Sequence, residues 1–378
     1  MSFFADDLFP ALACNLGFMR RILLLITDLQ IGGTPTVVRE LAFRLTSAGA
    51  AHIEVACLAP WGPVADQISR GGINVTALSA KGTLGFPRVA WRLRRLIRAK
   101  RIDTVLSFLI HANAVAAAVS FLGGRFRFFQ SIQTTQPSPR WHWIVQRIIW
   151  RAAERMIVPS ASVAETARHW AHVPNERIVV IPNAIDVNDF NDVGPLAKIA
   201  LPAGRSAIGF IGRLDPIKRI PDLLEALTAI DSSIDLHVFG DGAERPRIEQ
   251  TIARLGLSDR VVLHGAVSDP TEALAQISLL VLPSQAEGFG LVLIEAMAAG
   301  VPVVATNVPG IRDVVRHEIT GLLVPVASPE KLAAAIRLIL HDSSLREKLI
   351  SNARKDVQRR FSWSIVLPMY QDAIGLSD

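Results

Sequence analysis

The sequence predicts an α/β protein with two Rossmann-like, doubly wound domains that face each other across a cleft. At 378 residues the chain is long for a single core, so two domains are expected. Half of its residues are hydrophobic and a fifth are charged, which is typical of a globular protein. In both halves, short β-branched runs alternate with longer helical patterns, and this alternation predicts parallel sheets with crossover helices.

Strand patterns occur in both halves of the chain. The first half has strand patterns at 21–27, 52–59, 104–110, 125–132 and 155–160, with helical patterns at 35–48, 86–100 and 141–153. The second half has strand patterns at 206–212, 235–240, 261–265, 279–284 and 301–306. Ligands of doubly wound sheets bind beyond the carboxyl ends of the strands, so we expect the site in the cleft between the domains.

The domain boundary is predicted in a stretch at 183–205, which has Gly, Pro and Asn but no periodicity. We therefore predict an N-terminal domain at 19–195 and a C-terminal domain at 196–360. A helix in residues 361–378 is expected to pack back toward the N-terminal domain. Residues 1–18 are expected to be a disordered extension.

Composition excludes several classes of protein. The two cysteines, Cys14 and Cys57, exclude a disulfide framework and a cysteine-based zinc site, and they fit a reducing cytosol. No apolar stretch is long enough to span a bilayer. Asp6 and Asp7 precede the short apolar run at 20–27 and argue against a secretory signal. A cytoplasmic location is therefore expected.

Positive charge is concentrated in the first half of the chain. Residues 19–195 carry 21 Lys and Arg against 11 Asp and Glu, whereas residues 196–378 carry 19 against 21. Residues 81–155 contain 14 basic residues and only two acidic ones, Asp103 and Glu154. This asymmetry indicates an anionic partner for the N-terminal domain, which leaves a membrane surface, a polyanionic acceptor and nucleic acid open.

Arg213 and Lys218 follow the strand pattern at 206–212 and flank a Pro turn that leads into a helical pattern. Two cations at the carboxyl end of a strand, beside a helix N-terminus, suit a bound phosphate. Arg can bind phosphate oxygens in a bidentate manner, and Lys contributes a point charge. A solvated loop often has the same composition, so this motif alone leaves both interpretations open.

A stretch at 283–306 places Glu287 and Glu295 eight positions apart, with a Gly-Phe-Gly turn directly after the first. Glu287 would lie in a polar turn, where a carboxylate near a helix N-terminus is also a common capping arrangement. Glu295 would lie inside an apolar helix, where a carboxylate needs a partner. The hydroxyl groups of a bound sugar or ribose would serve as that partner.

The stretch PSQAEGFGLVLIEAMAAGVPVVAT resembles the two-glutamate signature of the GT-B glycosyltransferases, in the large family numbered four. Further stretches resemble motifs of this family in the same order: IGGTPTVVRELAFRL, VLSFLIHANAVAAA, VVIPNAIDVNDF, GFIGRLDPIKRIPDLLEA and VFGDGAERPRIE. The resemblance implies a GT-B fold. It also implies transfer of a hexose from a UDP- or GDP-linked sugar to a lipid-linked or polysaccharide acceptor in cell-envelope glycan synthesis.

The resemblance implies roles for single residues. Arg213 and Lys218 match the pair that binds the donor diphosphate, and Glu295 matches the glutamate that contacts the donor ribose. Glu287 matches the glutamate that addresses the transferred sugar, and His111 matches the histidine that faces this sugar near the reaction centre. The remaining donor-binding positions are in two turns: Gly33, Gly288, Phe289, Gly290 and Leu291.

The family further implies a retaining mechanism that requires no metal and no other cofactor. Arg213 and Lys218, with helix N-termini, would stabilise the departing nucleotide diphosphate, and domain closure would exclude water. One departure concerns Arg219, which stands where a glycine usually follows the lysine. Its charge would lie beside the phosphates or point to solvent.

Two amphipathic patterns in the basic region suggest a membrane partner. Residues 89–103 combine an apolar helical face with six cations, and residues 140–155 interleave three tryptophans with four arginines. A helix that covers a sheet and has a solvated face is the common alternative. Arg and Trp on one amphipathic helix also suit an anionic bilayer. We expect peripheral association with the inner face of the plasma membrane.

Other functions are less well supported. A nucleotide-sugar 2-epimerase shares the fold, but the further carboxylates and histidines of its active site are not found. A non-catalytic binding protein is disfavoured because Arg213, Lys218, Glu287 and Glu295 are all present, although fold alone would not decide it. No G-x-G-x-x-G motif follows the first strand, which disfavours a dinucleotide oxidoreductase. No recognised nucleic-acid module occurs, so a nucleic-acid partner is not expected.

Overall fold

The computed structural model describes most of the 378-residue chain. The described residues are 19–79, 85–190, 205–267 and 269–376. The predicted extension at 1–18 and the predicted domain boundary between 195 and 196 lie outside them.

Residues 19–190 contain a seven-stranded sheet in which all strand pairs are parallel. Strands β1 to β7 are Arg21–Ile26, His52–Cys57, Asn74–Ala77, Thr104–Phe108, Arg127–Ser131, Arg155–Val158 and Ile178–Val180. Helices α1 to α6 alternate with them and are Gly33–Ser47, Pro63–Arg70, Phe86–Ala99, Ile110–Phe121, Arg140–Ile149 and Ala161–Ala171. The strand order is β3-β2-β1-β4-β5-β6-β7.

The second sheet has six parallel strands. Strands β8 to β13 are Ser206–Ile211, Ile234–Phe239, Val261–Gly265, Leu279–Leu282, Val303–Thr306 and Leu322–Val324. Helices α7 to α14 are Ile220–Thr228, Arg245–Arg254, Pro270–Leu274, Leu291–Ala299, Ile311–Val314, Pro329–His341, Ser343–Arg360 and Trp363–Ala373. The strand order is β10-β9-β8-β11-β12-β13.

The two sheets have the same doubly wound order, and this order determines where a ligand can bind. In the first sheet the direction of winding reverses between β1 and β4, and in the second it reverses between β8 and β11. Loops that leave neighbouring strands at such a reversal diverge and leave a crevice beyond the carboxyl ends of the strands. The two crevices lie after β1 and β4, and after β8 and β11.

The apolar strand patterns follow from burial on both faces of each sheet. In β1, all residues from Ile22 to Ile26 have 0% exposure. Ile22, Leu24 and Ile26 pack in one core with residues of α1, α2 and α14. Leu23 and Leu25 pack in the opposite core with residues of α3 and α4.

The expectation of two doubly wound α/β domains is confirmed, and the differences from the predicted elements are local. The three strands missing from the predictions, β3, β7 and β13, are short and lie at sheet edges. The predicted strand at 104–110 is two residues too long, because Leu109 has φ 72° and α4 begins at Ile110. Such a backbone change at a strand end cannot be read from an apolar run.

The C-terminal helix α14 packs on the first sheet. Trp363, Val366 and Tyr370 lie in the same core as the apolar residues of β1 and α1, and the Nη1 group of Arg127 donates a hydrogen bond to the carbonyl oxygen of Ile374 (2.9 Å). Of the helices that the structure describes, none has both the length and the apolar character needed to cross a bilayer.

Tyr370 offers a test of this packing. Its side chain is fully buried, and its hydroxyl has no hydrogen-bond partner among the described residues. Tyr370→Phe keeps the ring and removes the unsatisfied group, so stability should be unchanged or rise by about 1 kcal/mol. Tyr370→Ala leaves a cavity and should lower the free energy of unfolding by about 3–5 kcal/mol. Urea unfolding measures both changes. If the Phe variant loses more than about 1 kcal/mol of unfolding free energy, the hydroxyl of Tyr370 must have a partner and the interpretation is wrong.

Candidate active site

The loops at the two reversal points contain most of the residues that the sequence analysis selected. Gly33 follows β1 and His111 follows β4, both in the first sheet. Arg213 and Lys218 follow β8, and Glu287 follows β11 in the second sheet. The fold therefore places these side chains at the two crevices, where doubly wound proteins bind ligands.

Lys218 and Glu287 form an ion pair at the crevice of the second sheet. Lys218 ends a short 3-10 turn, Pro216–Lys218, and its Nζ contacts Oε1 of Glu287. The hydroxyl of Ser284 donates a hydrogen bond to the same oxygen (2.7 Å). The two charged side chains are only 18% and 13% exposed, so the pair is largely shielded from water. An anionic ligand at Lys218 would compete with Glu287 for its ammonium group.

The loop that carries Glu287 is held by both domains. The hydroxyl of Thr135, after β5, donates a hydrogen bond to the carbonyl oxygen of Glu287 (2.8 Å). The hydroxyl of Ser160, after β6, donates to the carbonyl oxygen of Gly288 (3.1 Å). A Cβ atom at position 288 would overlap the backbone carbonyl of Gln133, so only glycine allows this contact. Gly288 thus serves the packing of the two domains.

The N-termini of α1 and α10 lie next to each other where the two domains meet. A Cβ atom on Gly33, the first residue of α1, would lie 3.9 Å from the Cβ atom of Leu291, the first residue of α10. Neither helix has a side-chain cap or an acidic residue in its first turn. Gly290 precedes α10 with φ 85°, which glycine adopts readily. Two uncapped helix N-termini at one place favour an anion.

Phe289 has a packing role that the sequence did not reveal. Its side chain is 4% exposed, and its ring packs edge-on against Phe361 at a centroid distance of 5.4 Å. The side chain therefore anchors the loop in the core of the second domain, while its backbone remains part of the turn between Glu287 and α10.

Glu295 is a buried carboxylate without a partner from the protein. It lies inside α10 at 7% exposure, and no hydrogen bond or ion pair reaches it from the part of the chain that the structure describes. Burial raises the pKa of this carboxyl from 4.5 to about 7. The nearby charge of Asp269 adds to the shift and Arg39 opposes it. The expected need for an external partner is thus consistent with the geometry.

Arg213 and Arg219 are both paired with nearby aspartates. The Nε atom of Arg213 lies 2.6 Å from Asp215, but its side chain is 76% exposed and can reach a ligand. Arg219 binds both oxygens of Asp222 at 2.7 and 2.9 Å. Its φ of 49° lies in the left-handed region, which explains physically why a glycine suits this position. Arg219 is therefore held by a neighbour and does not simply point to solvent.

His111 lies in a small aromatic cluster at the crevice of the first sheet. It is the second residue of α4, and its ring centroid lies 5.9 Å from Trp141 and 5.7 Å from His142, which start α5. Burial, together with the charge of His111, lowers the pKa of His142. Within the described residues, no hydrogen bond or ion pair joins His111 to the Lys218–Glu287 pair.

The tryptophans of the second amphipathic pattern do not share one surface. Trp141 is 49% exposed, but Trp143 is 5% exposed and donates its Nε1–H to the carbonyl oxygen of Gln136 (2.9 Å). Trp150 is half-buried. The interpretation of all three as a bilayer face is therefore wrong for Trp143, which packs in the core with α6.

Three polar residues of the site were missed in the sequence. Ser284, Thr135 and Ser160 all lie directly beyond β-strands, at the edge where ligands of parallel sheets bind. The same strand-end rule that selected Arg213 and Lys218 could have found them. Their contacts are made mainly to the backbone of the Glu287 loop, and such contacts leave no pattern in a single sequence.

The fold and this site define the class of the protein as a two-domain GT-B glycosyltransferase. Residues 196–356 match the model of "Glycosyl transferases group 1", and residues 31–189 match that of "Glycosyltransferase Family 4". The chain is 30% identical over 348 residues to a phosphatidyl-myo-inositol mannosyltransferase of Mycolicibacterium smegmatis, covering 89% of this chain and 88% of that protein. The chain therefore belongs to the family 4 type of GT-B glycosyltransferases.

Other relatives match over a shorter span. The chain is 32% identical over 203 residues to the N-acetyl-alpha-D-glucosaminyl L-malate synthase of Bacillus anthracis, covering 52% of this chain and 53% of that protein. For this relative and several others the match spans about half of the relative's length.

Solved structures show the same fold. Anabaena Alr3699/HepE in complex with UDP-glucose superimposes with a TM-score of 0.86 at 23% identity, over 94% of this chain and 99% of that one. A sucrose-phosphate synthase from Thermosynechococcus elongatus superimposes with a TM-score of 0.80 at 23% identity, over 95% and 100%. At these identities the likeness concerns the fold alone.

The raised pKa of Glu295 predicts a pH-dependent stability. The folded protein binds this proton more tightly than the unfolded chain. The resulting stabilisation is therefore fully present below about pH 4.5 and is lost as pH rises through about 7. Glu295→Gln removes the buried charge, so near pH 8 it should be more stable than the unmodified protein by roughly 1–3 kcal/mol. Near pH 5 the difference should largely vanish.

Guanidinium unfolding across this pH range measures the effect. Glu225→Gln, at an exposed position of α7, is the matched control and should leave the pH dependence unchanged. The same pH dependence of stability in Glu295→Gln and in the unmodified protein would contradict the raised pKa of Glu295.

Proposed function

We propose that the protein is a retaining hexosyltransferase that requires no metal and no cofactor. It would move a hexose from a nucleotide-diphosphate sugar to a lipid-linked or polysaccharide acceptor in cell-envelope glycan synthesis. The observation that carries the proposal is the grouping of the shielded Lys218–Glu287 pair with the unpartnered Glu295 at α10. Together they offer a cation, a reorganisable carboxylate and a buried acceptor of hydrogen bonds.

The donor diphosphate would bind beside the two neighbouring helix N-termini. Lys218 and the exposed Arg213 supply positive charge, and the uncapped first turns of α1 and α10 supply free N–H groups. The phosphates would attract Lys218 away from Glu287. The carboxylate of Glu287 would then be free to accept hydrogen bonds from the hydroxyl groups of the transferred sugar, beside the backbone of Phe289 and Gly290.

Glu295 would accept hydrogen bonds from the two hydroxyl groups of the donor ribose. A buried carboxylate without a partner is costly, and hydroxyl donors stabilise its charged form. Donor binding should therefore lower the pKa of Glu295. We favour a uridine nucleotide, because the similar fold of Alr3699/HepE was solved with UDP-glucose.

The proposed reaction breaks the bond between the anomeric carbon and the donor phosphate oxygen. The acceptor hydroxyl oxygen forms the new bond on the same face, and its proton passes to a donor phosphate oxygen. Arg213 and Lys218 stabilise the negative charge that develops on the leaving diphosphate, while His111 faces the sugar. Glu287 and Glu295 would not act as an acid/base pair of the glycosidase type, because in this proposal Glu287 binds the transferred sugar and Glu295 binds the ribose.

A stripe on α5 supports a lipid-linked acceptor and a peripheral membrane location. Trp141, Ile144 and Ile148 are 49%, 63% and 60% exposed. Their spacing of three and four places them on one helical face. The stripe begins beside His111 and runs away from it along α5. An apolar path that starts at the proposed reaction centre suits an acceptor whose sugar enters the cleft while its lipid stays in an anionic membrane at the cytoplasmic face.

Donor binding can be tested by thermal shift with UDP- and GDP-linked sugars, followed by a hydrolysis assay of the nucleotides that stabilise the protein. Lys218→Ala and Glu295→Ala should each abolish the shift, because they remove a phosphate contact and a ribose contact. Glu225→Ala should retain it. Activity should be unchanged by a chelator. A protein that responds to no nucleotide sugar would contradict the proposal.

Membrane association can be tested by vesicle flotation. The unmodified protein should bind vesicles with anionic lipid, and binding should weaken as salt rises. Ile144→Ser with Ile148→Ser should reduce binding at least about fivefold, because it removes the exposed apolar stripe. The matched control, Ile319→Ser with Leu338→Ser, changes two apolar residues of the second domain that are each 47% exposed. Equal binding to neutral vesicles would refute the electrostatic part of the proposal.

A further inference from the structure

A basic cleft lies at the end of the first sheet that is opposite to the candidate active site. It has a volume of about 600 Å³ and runs between the C-terminal half of α3 and the end of α4. Asp103 and Arg125 in its lining come shortly before β4 and β5, at the amino ends of these strands. Four arginines line the cleft: Arg94, Arg98, Arg101 and Arg125.

No carboxylate among the described residues forms an ion pair with these four guanidinium groups. Within the described residues none of them forms a hydrogen bond or an ion pair, and the Nε–H of Arg94 is buried without an acceptor. Two neighbouring cations outside the cleft are paired. The Nζ of Lys100 lies 3.1 Å from Glu54, and Arg127 lies 2.7 Å from Glu154. Arg88 and Arg95, exposed residues of α3 outside the cleft, form no ion pair within the described residues either. The cleft is therefore distinguished by bringing four unpaired guanidinium groups together.

Asp103, the acidic residue in the lining, supplies one negative charge against four positive ones and forms no ion pair with these arginines within the described residues. One carboxylate oxygen of Asp103 accepts a hydrogen bond from the backbone N–H of Arg21 (2.7 Å), and the other accepts from the hydroxyl of Thr104 (2.6 Å). Arg94 and Arg98 are four residues apart on one side of α3, and Arg101 follows the end of this helix; all three line the cleft and repel one another. The dipole of α3 favours a cation only in its last turn, which accounts for Arg98 alone.

We propose that this cleft binds a phosphate monoester or diphosphate group and is a site separate from the donor site. Guanidinium groups pair with phosphate oxygens in a bidentate manner, and a multiply charged phosphate would relieve the repulsion among all four.

The surroundings of the cleft favour a lipid headgroup over a soluble phosphate compound as the source of this group. Phe121 and Leu122 are 60% and 65% exposed and directly precede Gly123 and Gly124 of the lining. With a phosphate held in the cleft, these two apolar side chains would reach the acyl boundary of a bilayer. A soluble phosphate would leave them in water.

The test uses two double variants that remove the same charge. Arg98→Ala with Arg125→Ala changes the cleft, and Arg88→Ala with Arg95→Ala changes exposed residues of α3 outside the lining. All four side chains are exposed, so both proteins should fold, and circular dichroism checks this. The donor-induced thermal shift should persist in both variants, which separates this test from that of the proposed transferase.

Two probes distinguish the sources of phosphate. The first is phosphatidylcholine vesicles that contain phosphatidic acid, a phosphate monoester, compared with vesicles of equal surface charge that contain phosphatidylglycerol. The second is inorganic pyrophosphate, titrated by calorimetry into proteins that also carry Lys218→Ala, so that the donor site does not contribute. The cleft variant should bind phosphatidic acid vesicles at least about tenfold more weakly than the control variant.

Each outcome decides the proposal. Binding of either probe that is lost in the cleft variant and kept in the control supports the site. In that case vesicle binding indicates a lipid source, and binding of pyrophosphate alone indicates a soluble one. Equal losses in both double variants, equal binding of the two anionic lipids without a pyrophosphate response, or no binding of either probe would overturn it.

Discussion

The carboxylate of Glu287 is held by its own domain, and its carbonyl oxygen is held by the other. Lys218 and Ser284 bind the side chain, whereas Thr135 binds the backbone at 2.8 Å. The same loop continues into the N-terminus of α10, which faces Gly33 of the first domain. The position of the candidate site therefore depends on how the two sheets meet at this loop. Any change in their relative orientation alters the contacts of Glu287 directly.

Several polar groups at the site lack a full set of hydrogen-bond or charge partners from the protein itself. Glu295 is buried without a partner, and the N–H groups at the starts of α1 and α10 have no side-chain caps. Lys218 uses Glu287 as its counter-ion. The arginines between α3 and α4 present a similar situation at the far end of the first sheet. In each place the folding energy of the two cores supports polar groups whose best partners come from outside the chain.

The sequence predicted the fold and most of the candidate site, for physical reasons that particular residues illustrate. Strands buried on both faces, such as β1, are apolar runs that a sequence shows directly. The site residues follow strand ends, so the doubly wound order locates them once the strands are known.

Edge strands such as β3 lack the apolar signal of buried strands, and the sequence did not predict them. The contacts of Thr135 and Ser160 are made to backbone atoms more than a hundred residues away, which no local pattern encodes. The burial of Trp143 was missed because α5 has one buried and one exposed tryptophan within a single turn.

The contact at Gly288 has a consequence for how such enzymes can diversify. The atoms nearest to a Cβ at this glycine are backbone atoms of Gln133 and Thr134, and the hydroxyl groups of Thr135 and Ser160 add hydrogen bonds to the same loop. A backbone-to-backbone contact tolerates changes of side chain in the first domain as long as the chain path is kept. Under the proposed function, the surface around Trp141 and His142, which would face the acceptor, can therefore vary while the loop that would hold the donor keeps its place. New acceptor preferences could arise by substitution in one domain, with the donor chemistry of the other left unaltered.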